Sequence, residues 1–226
     1  MSRKKDLLVT IDGPAGAGKT TVSRRLARRL GYTYVDTGAL YRGVALAAVR
    51  SGVAADDDEG LARLCTGLRI GFVQDRNESR LQVNGEDVTD LIRTPEISMK
   101  ASAVSARPVV RAFLLDVQRE LGSRRAAVFE GRDMGSVVFP EADVKFFLSA
   151  DLRTRAVRRY RELGEPAGSL EQVQKDMARR DENDAGRSLA PLKPAPDAVR
   201  IDSTGLTVEA VVEKMLAVIA SVAEEN

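Results

Sequence analysis

The chain has 226 residues, 43% of them hydrophobic, with a formal net charge of +2. That length suits one sizeable domain with a proper core and room for a small insert, and the near-balanced charge with 4% aromatic content argues against a nucleic-acid reader, which needs a basic excess and stacking rings. With no histidine and one cysteine, Cys65, the chain has no imidazole base, no imidazole metal ligand and no internal disulfide.

Cys65 reads as a buried apolar residue in a protein of the reducing cytoplasm. The first apolar run, at 7–11, is too short for a signal peptide, and no stretch reaches the roughly 18 apolar residues of a membrane span. A cytoplasmic protein without nucleic-acid or membrane partners is expected.

In chain order, "LLVTI" (7–11) reads as a buried strand and "GPAGAGKT" (13–20) as a glycine-rich loop. Val22, Leu26 and Leu30 then recur every fourth residue, with Arg24, Arg25, Arg28 and Arg29 turned outward. This predicts an amphipathic helix stopped by Gly31. "YTYVD" (32–36) predicts a second strand. Residues 37–52 predict a helix with Thr37 as its N-cap. Between 66 and 100 the period becomes two, and "NG" at 84–85 marks a hairpin, so a small antiparallel insert is expected. Helical spacing returns after Pro108. Strands follow near 126–130, 144–149 and 198–202, with helices at 151–164, 170–183 and beyond 208. Alternating strands and helices imply a parallel sheet covered by helices on both faces, with ligands outside the carboxyl ends of its strands.

"GPAGAGKT" fits the phosphate-loop pattern GxxxxGK[ST] through Gly13, Gly18, Lys19 and Thr20, with a strand before it and a helix after it. Glycines let the backbone curl so that N–H groups point at phosphate oxygens, and the helix N-terminus adds partial positive charge. Lys19 is placed to bridge the outer phosphates, and the Thr20 hydroxyl to ligate Mg2+. No NKxD-type guanine motif appears, which disfavours a GTPase switch. A small phosphotransferase remains, with a nucleotide-dependent assembly factor as the alternative class.

An acceptor site needs further groups at strand ends. "DTGALYR" (36–42) offers the Thr37 hydroxyl and the Arg42 fork, the latter suited to a phosphate monoester. The plainer reading is an N-cap and a surface arginine. "EGRDMG" (130–135) sets Arg132 beside Asp133 between Gly131 and Gly135. "RRDENDAGR" (179–187) spaces Arg180, Asp184 and Arg187 so that a helix reaching that far shows all three on one face. Arg155, Arg158 and Arg159 share a face of the helix at 151–164, either as a lid or as a solvated charged surface.

Four stretches together, "TIDGPAGAGKTT", "DTGALYR", "EGRDMGSVVFP" and "RRDENDAGRSLAPL", closely resemble the signatures of bacterial cytidylate kinases, over residues 7–204. The resemblance implies ATP-dependent phosphorylation of CMP and dCMP. A monomer is expected, because a lid and an insert must move and no long exposed apolar helix demands a partner. The resemblance also implies an α/β P-loop kinase core at 1–65 and 101–226, including a lid near 153–169, with a monophosphate-binding insert at 66–100. It assigns ATP to Gly13, Pro14, Ala15, Gly16, Ala17, Gly18, Lys19, Thr20 and Thr21. Thr37, Ser102, Arg111, Asp133 and Arg187 would surround the cytosine, Arg42 and Arg132 would hold the acceptor phosphate, and Arg180 and Asp184 would approach the ribose. Glu130 would reach Mg2+ through water. Lys19 and the lid arginines Arg155, Arg158 and Arg159 would act on the moving phosphoryl group.

Overall fold

A computed structural model describes residues 6–75, 78–164 and 168–225. Strand β1 (Leu8–Asp12) is buried at every position. It is flanked by β6 (Ala127–Glu130) and β7 (Val144–Ser149), both parallel to it, and β8 (Val199–Asp202) pairs in parallel with β7. With β2 (Thr33–Asp36) the sheet order is β2-β6-β1-β7-β8. The chain therefore crosses from one side of β1 to the other between β6 and β7, and loops at the carboxyl ends diverge there.

The chain divides into two units, residues 1–34 with 125–226, and residues 35–124. In the first, α1 (Lys19–Leu30) and α8 (Val208–Glu225) pack beside the sheet. Leu26 and Met215 meet Ile11, Val128, Phe146 and Leu148 in its core. Gly31 closes α1 in the left-handed conformation, as the sequence predicts. Helices α6 (Leu152–Leu163) and α7 (Leu170–Ala185) pack against each other through Ala156, Val173 and Met177. The segment expected as a lid, 153–169, corresponds to α6 and the connection after it, of which residues 165–167 lie outside the described residues.

The second unit holds α2 (Thr37–Arg50), α3 (Asp58–Thr66), the antiparallel strands β3 (Ile70–Asp75), β4 (Glu78–Val83) and β5 (Glu86–Asp87), then α4 (Pro95–Val104) and α5 (Pro108–Ser123). Asn84 and Gly85 both have positive φ, 51° and 84°, the conformation an "NG" hairpin turn requires. The small sheet does not stand alone at 66–100. Leu81 and Val83 share one core with Leu40, Val44, Ile97 and Leu114 from the surrounding helices, so the unit is wider.

Several local expectations change. The N-cap of α2 is Asp36, whose carboxylate accepts from the Ala39 N–H at 3.0 Å, and Thr37 is the first helical residue. The helix ends at Arg50. Helix α7 stops at Ala185, so Arg187 lies beyond it. Helices α3 and α4 add to the elements that periodicity predicts. Among the described residues no helix is long and apolar enough to cross a membrane.

Candidate active site

The phosphate loop leaves β1 at Asp12 and enters α1 at Lys19. Gly13 has φ 147°, and a Cβ there would stand 1.9 Å from the Leu148 carbonyl oxygen, so only glycine passes the end of β7. The first turn of α1 carries no acidic side chain, leaving its N–H dipole open to an anion.

Lys19 is buried, and its Nζ donates to the Pro14 carbonyl at 2.8 Å. Burial lowers its pKa to about 7, and the charge of nearby Arg132 and then Arg180 pushes the same way, while Glu130 and Asp12 oppose them. Arg132 and Arg180 come from different elements, so three cationic side chains gather within electrostatic range at the loop. Glu130 and Asp12 near Lys19, and Asp184 on Arg132, offset part of the mutual repulsion, and a bound polyanion would offset more.

Glu130, the buried last residue of β6, is held by two hydroxyl groups. Thr20 Oγ1 donates to its Oε1 at 2.8 Å and Tyr34 Oη donates to its Oε2 at 2.9 Å. Arg24 lies over the Tyr34 ring at 5.3 Å from the centroid. Among the described residues there is no cluster of three or more histidine, cysteine or acidic side chains that would cage a metal. A phosphate-loop hydroxyl beside one carboxylate fits Mg2+, which takes few protein ligands and draws the remainder from phosphates and water.

After Glu130 the chain turns sharply. The Gly131 N–H still donates to the Ile11 carbonyl at 3.1 Å, continuing the β6–β1 ladder. Arg132 Nε then donates to Asp184 Oδ2 at 3.0 Å, and Arg187 Nη2 donates to Asp184 Oδ1. Asp184 is thus buried between the two arginines. Asp133 is buried at the head of a π-helical turn, Met134–Val138. The turn is tied to β1, since Asp12 accepts from the N–H groups of Met134 and Gly135, each at 2.8 Å. Gly135 sits where a Cβ would come within 2.9 Å of Thr10 Oγ1, so its small size serves packing on β1.

The three arginines of α6 separate by partner. Arg155 is buried, donating to the carbonyls of Ala150 at 2.9 Å and Ala15 at 3.1 Å and pairing with Asp181 at 2.6 Å. Arg158 donates to the Ser203 hydroxyl at 3.0 Å and carbonyl at 2.7 Å, and the Ser203 hydroxyl donates to the Ala17 carbonyl of the phosphate loop. Arg159 pairs with Glu162 on the same helix. Arg155 and Arg158 are therefore wired to the loop, one directly and one through Ser203.

In the second unit, Arg42 Nη2 donates to Asp36 Oδ2 at 2.8 Å, and Thr37, next to Asp36 in sequence, is buried. Arg111 donates to the Ser105 carbonyl at 3.3 Å and lies over the Tyr41 ring, while the Ser105 hydroxyl donates to the Ser102 carbonyl. This gathers Ser102 and Arg111 with Tyr41.

Sequence reasoning passes over Asp12, Tyr34, Asp36, Asp181 and Ser203. Asp12 and Asp36 carry a signal, each being a carboxylate that ends a strand. The others are common polar residues whose roles depend on partners that no motif names.

A family model described as cytidylate kinase matches residues 9–221. The chain belongs to the cytidylate kinase family. A cytidylate kinase of Geobacter sulfurreducens is 53% identical over 219 residues, covering 96% of this chain and 94% of the relative. One of Geobacter sp. strain M21 is 53% identical over 216 residues, covering 94% and 92%. A gluconokinase structure from Sinorhizobium meliloti 1021 superposes with a TM-score of 0.51 at 15% identity, covering 99% of this chain and 97% of that one. It supports the fold alone.

Proposed function

We propose that this protein transfers the γ-phosphoryl group of ATP to CMP or dCMP, giving ADP and the cytidine diphosphate. The observation that carries the chemistry is the gathering of Lys19, Arg132 and Arg180 at the phosphate loop, beside the Glu130–Thr20 pair. Family membership over nearly the whole chain supports the cytidine acceptor.

An oxygen of the acceptor phosphate is already anionic near neutral pH, so the in-line step needs no histidine base. The chain's task is positioning and charge stabilisation. Backbone N–H groups of residues 13–21 cradle the donor phosphates and Lys19 neutralises the outer ones. Thr20 and Glu130 would hold Mg2+, Glu130 through water, and the ion would shield charge on the donor phosphates. Arg132 and Arg42 bind the acceptor phosphate. Asp133, with Thr37, Ser102, Arg111 and Arg187, reads the aminopyrimidine edge, and Arg180 and Asp184 approach the ribose. Arg155 and Arg158 steady the loop, and with Arg159 they are the candidates for contact with the transferring group. The protein acts as a monomer in the cytoplasm, with Cys65 reduced and buried.

The test is ADP formation from Mg-ATP with CMP, dCMP, UMP, AMP, GMP or no acceptor. Fast release with CMP and dCMP, and little without acceptor, is expected. A preference for another monophosphate, or release independent of acceptor, overturns the assignment.

A further inference from the structure

We propose that Asp12 is a positioning residue that fixes the turn bearing Arg132 and Asp133 to the phosphate loop, and so sets the spacing of acceptor and donor. The inference rests on the kinase reading above. Asp12 is the last residue of β1 and directly precedes Gly13. Its two carboxylate oxygens accept one N–H each, from Met134 and Gly135. Those are the residues immediately after Asp133.

The N–H groups that open a helical turn lack partners within it, and the residue at the N-cap usually supplies an acceptor. Here Asp133 holds the N-cap position, and its side chain makes no capping bond. The cap comes instead from Asp12, 122 residues earlier in sequence. Asp133 is thereby relieved of capping its own turn. Two short bonds to one rigid strand end also fix the turn's orientation, which a single bond would leave free to pivot. In-line transfer is sensitive to displacements of about 1 Å, so a strut between the two substrate-bearing segments has leverage on turnover.

Burial raises the Asp12 pKa to about 6 despite both amide bonds. A raised acid pKa means its stabilising effect is complete below the unfolded value of 3.8 and is lost as pH rises through about 6. At neutral pH the buried carboxylate therefore contributes less to stability than its protonated form does in acid.

Asp12→Asn and Asp12→Glu test the proposal, using whichever monophosphate the wild-type protein phosphorylates fastest, so that a wrong acceptor assignment is seen in the wild-type protein alone. Asn keeps one acceptor and turns an amide towards the other N–H. Glu keeps the charge near Lys19 but is too long to meet both N–H groups in place. Both variants are expected to lower kcat by about 10-fold or more and to weaken acceptor binding. Calorimetric affinity for a non-hydrolysable ATP analogue should stay within about threefold, with melting within about 5 °C of wild type, since the unmade bond is offset by easier burial. Acceptor and donor affinities that fall together with melting temperature would make the role merely structural and overturn the proposal. A wild-type-like Asp12→Glu beside an impaired Asp12→Asn would assign the effect to charge on Lys19 and overturn it too. Hydrogen exchange on the wild-type protein tests it without variants. The Met134 and Gly135 amides should exchange slowly before any nucleotide is added, and protection that arises only on acceptor binding refutes the strut.

Discussion

Replacing Asp184 with alanine should unsettle two arginines at once. Its side chain is 2% exposed, against 20% for Arg132 and 10% for Arg187, and it accepts from both. Removing one partner of a buried ion pair costs about 3–5 kcal/mol, because the remaining charge stays desolvated. Arg132 retains some solvent and its bond to the Gly131 carbonyl, which favours the lower part of that range, about 3–4 kcal/mol. For a chain of this size each kcal/mol moves the melting temperature by about 2–4 °C, so a fall of about 6–16 °C is expected. Asp184→Asn retains a neutral acceptor and should lose about half as much. Thermal unfolding followed by circular dichroism at pH 7 measures both. An Arg132→Met/Asp184→Ala double variant should be less destabilised than the sum of the single changes, since one of the two stranded charges is gone. Melting of Asp184→Ala within about 2 °C of wild type, a spread of about the error of such a comparison, would refute the account of Asp184 as the arginines' counter-charge.

Lys19→Met should leave the fold intact and lower turnover by about 10²-fold or more, and a folded variant with near-normal turnover would remove Lys19 from the mechanism. Asp133→Ala should cost about 2–4 kcal/mol in kcat/KM for CMP, because a buried polar partner loses its mate, and normal CMP use would show that Asp133 does not read the base. Tyr34→Phe removes one of the two hydroxyl donors on Glu130. The Mg2+ concentration for half-maximal rate should rise about 3- to 10-fold, and an unchanged Mg2+ titration would show that Tyr34 does not orient that carboxylate. With its pKa lowered to about 7, Lys19 is mostly neutral in the ligand-free protein at pH 8 and gains a proton when polyphosphate binds. ATP binding at pH 8 should therefore take up most of a proton and weaken as pH rises further. Calorimetry in two buffers of different ionisation enthalpy reads this directly, and heats that do not depend on the buffer would contradict it.

Features governed by neighbours along the chain are legible in the sequence by itself. Apolar runs mark β1, β6 and β7 because buried parallel strands are apolar on both faces. The four-residue spacing of Val22, Leu26 and Leu30 marks α1, the Asn84-Gly85 pair marks the hairpin, and the loop glycines with Lys19 and Thr20 mark the phosphate cradle. Each depends on local sterics or on a one-dimensional period. Less is legible where two residues compete for one task. Asp36 and Thr37 are both competent N-caps, and only backbone geometry chooses Asp36, leaving it to hold Arg42 as well. Helix α3 is obscured by its polar start, "DDDEG", since few apolar positions define its period. What tertiary structure alone decides is pairing at a distance. Asp12 caps a turn 122 residues away, Thr20 and Tyr34 meet on Glu130, Arg155 leaves its helical neighbours for Asp181, and Asp184 draws in Arg132. A hydrogen bond or ion pair leaves no period in the sequence, so its partner is fixed only when the sheet brings the strand ends together.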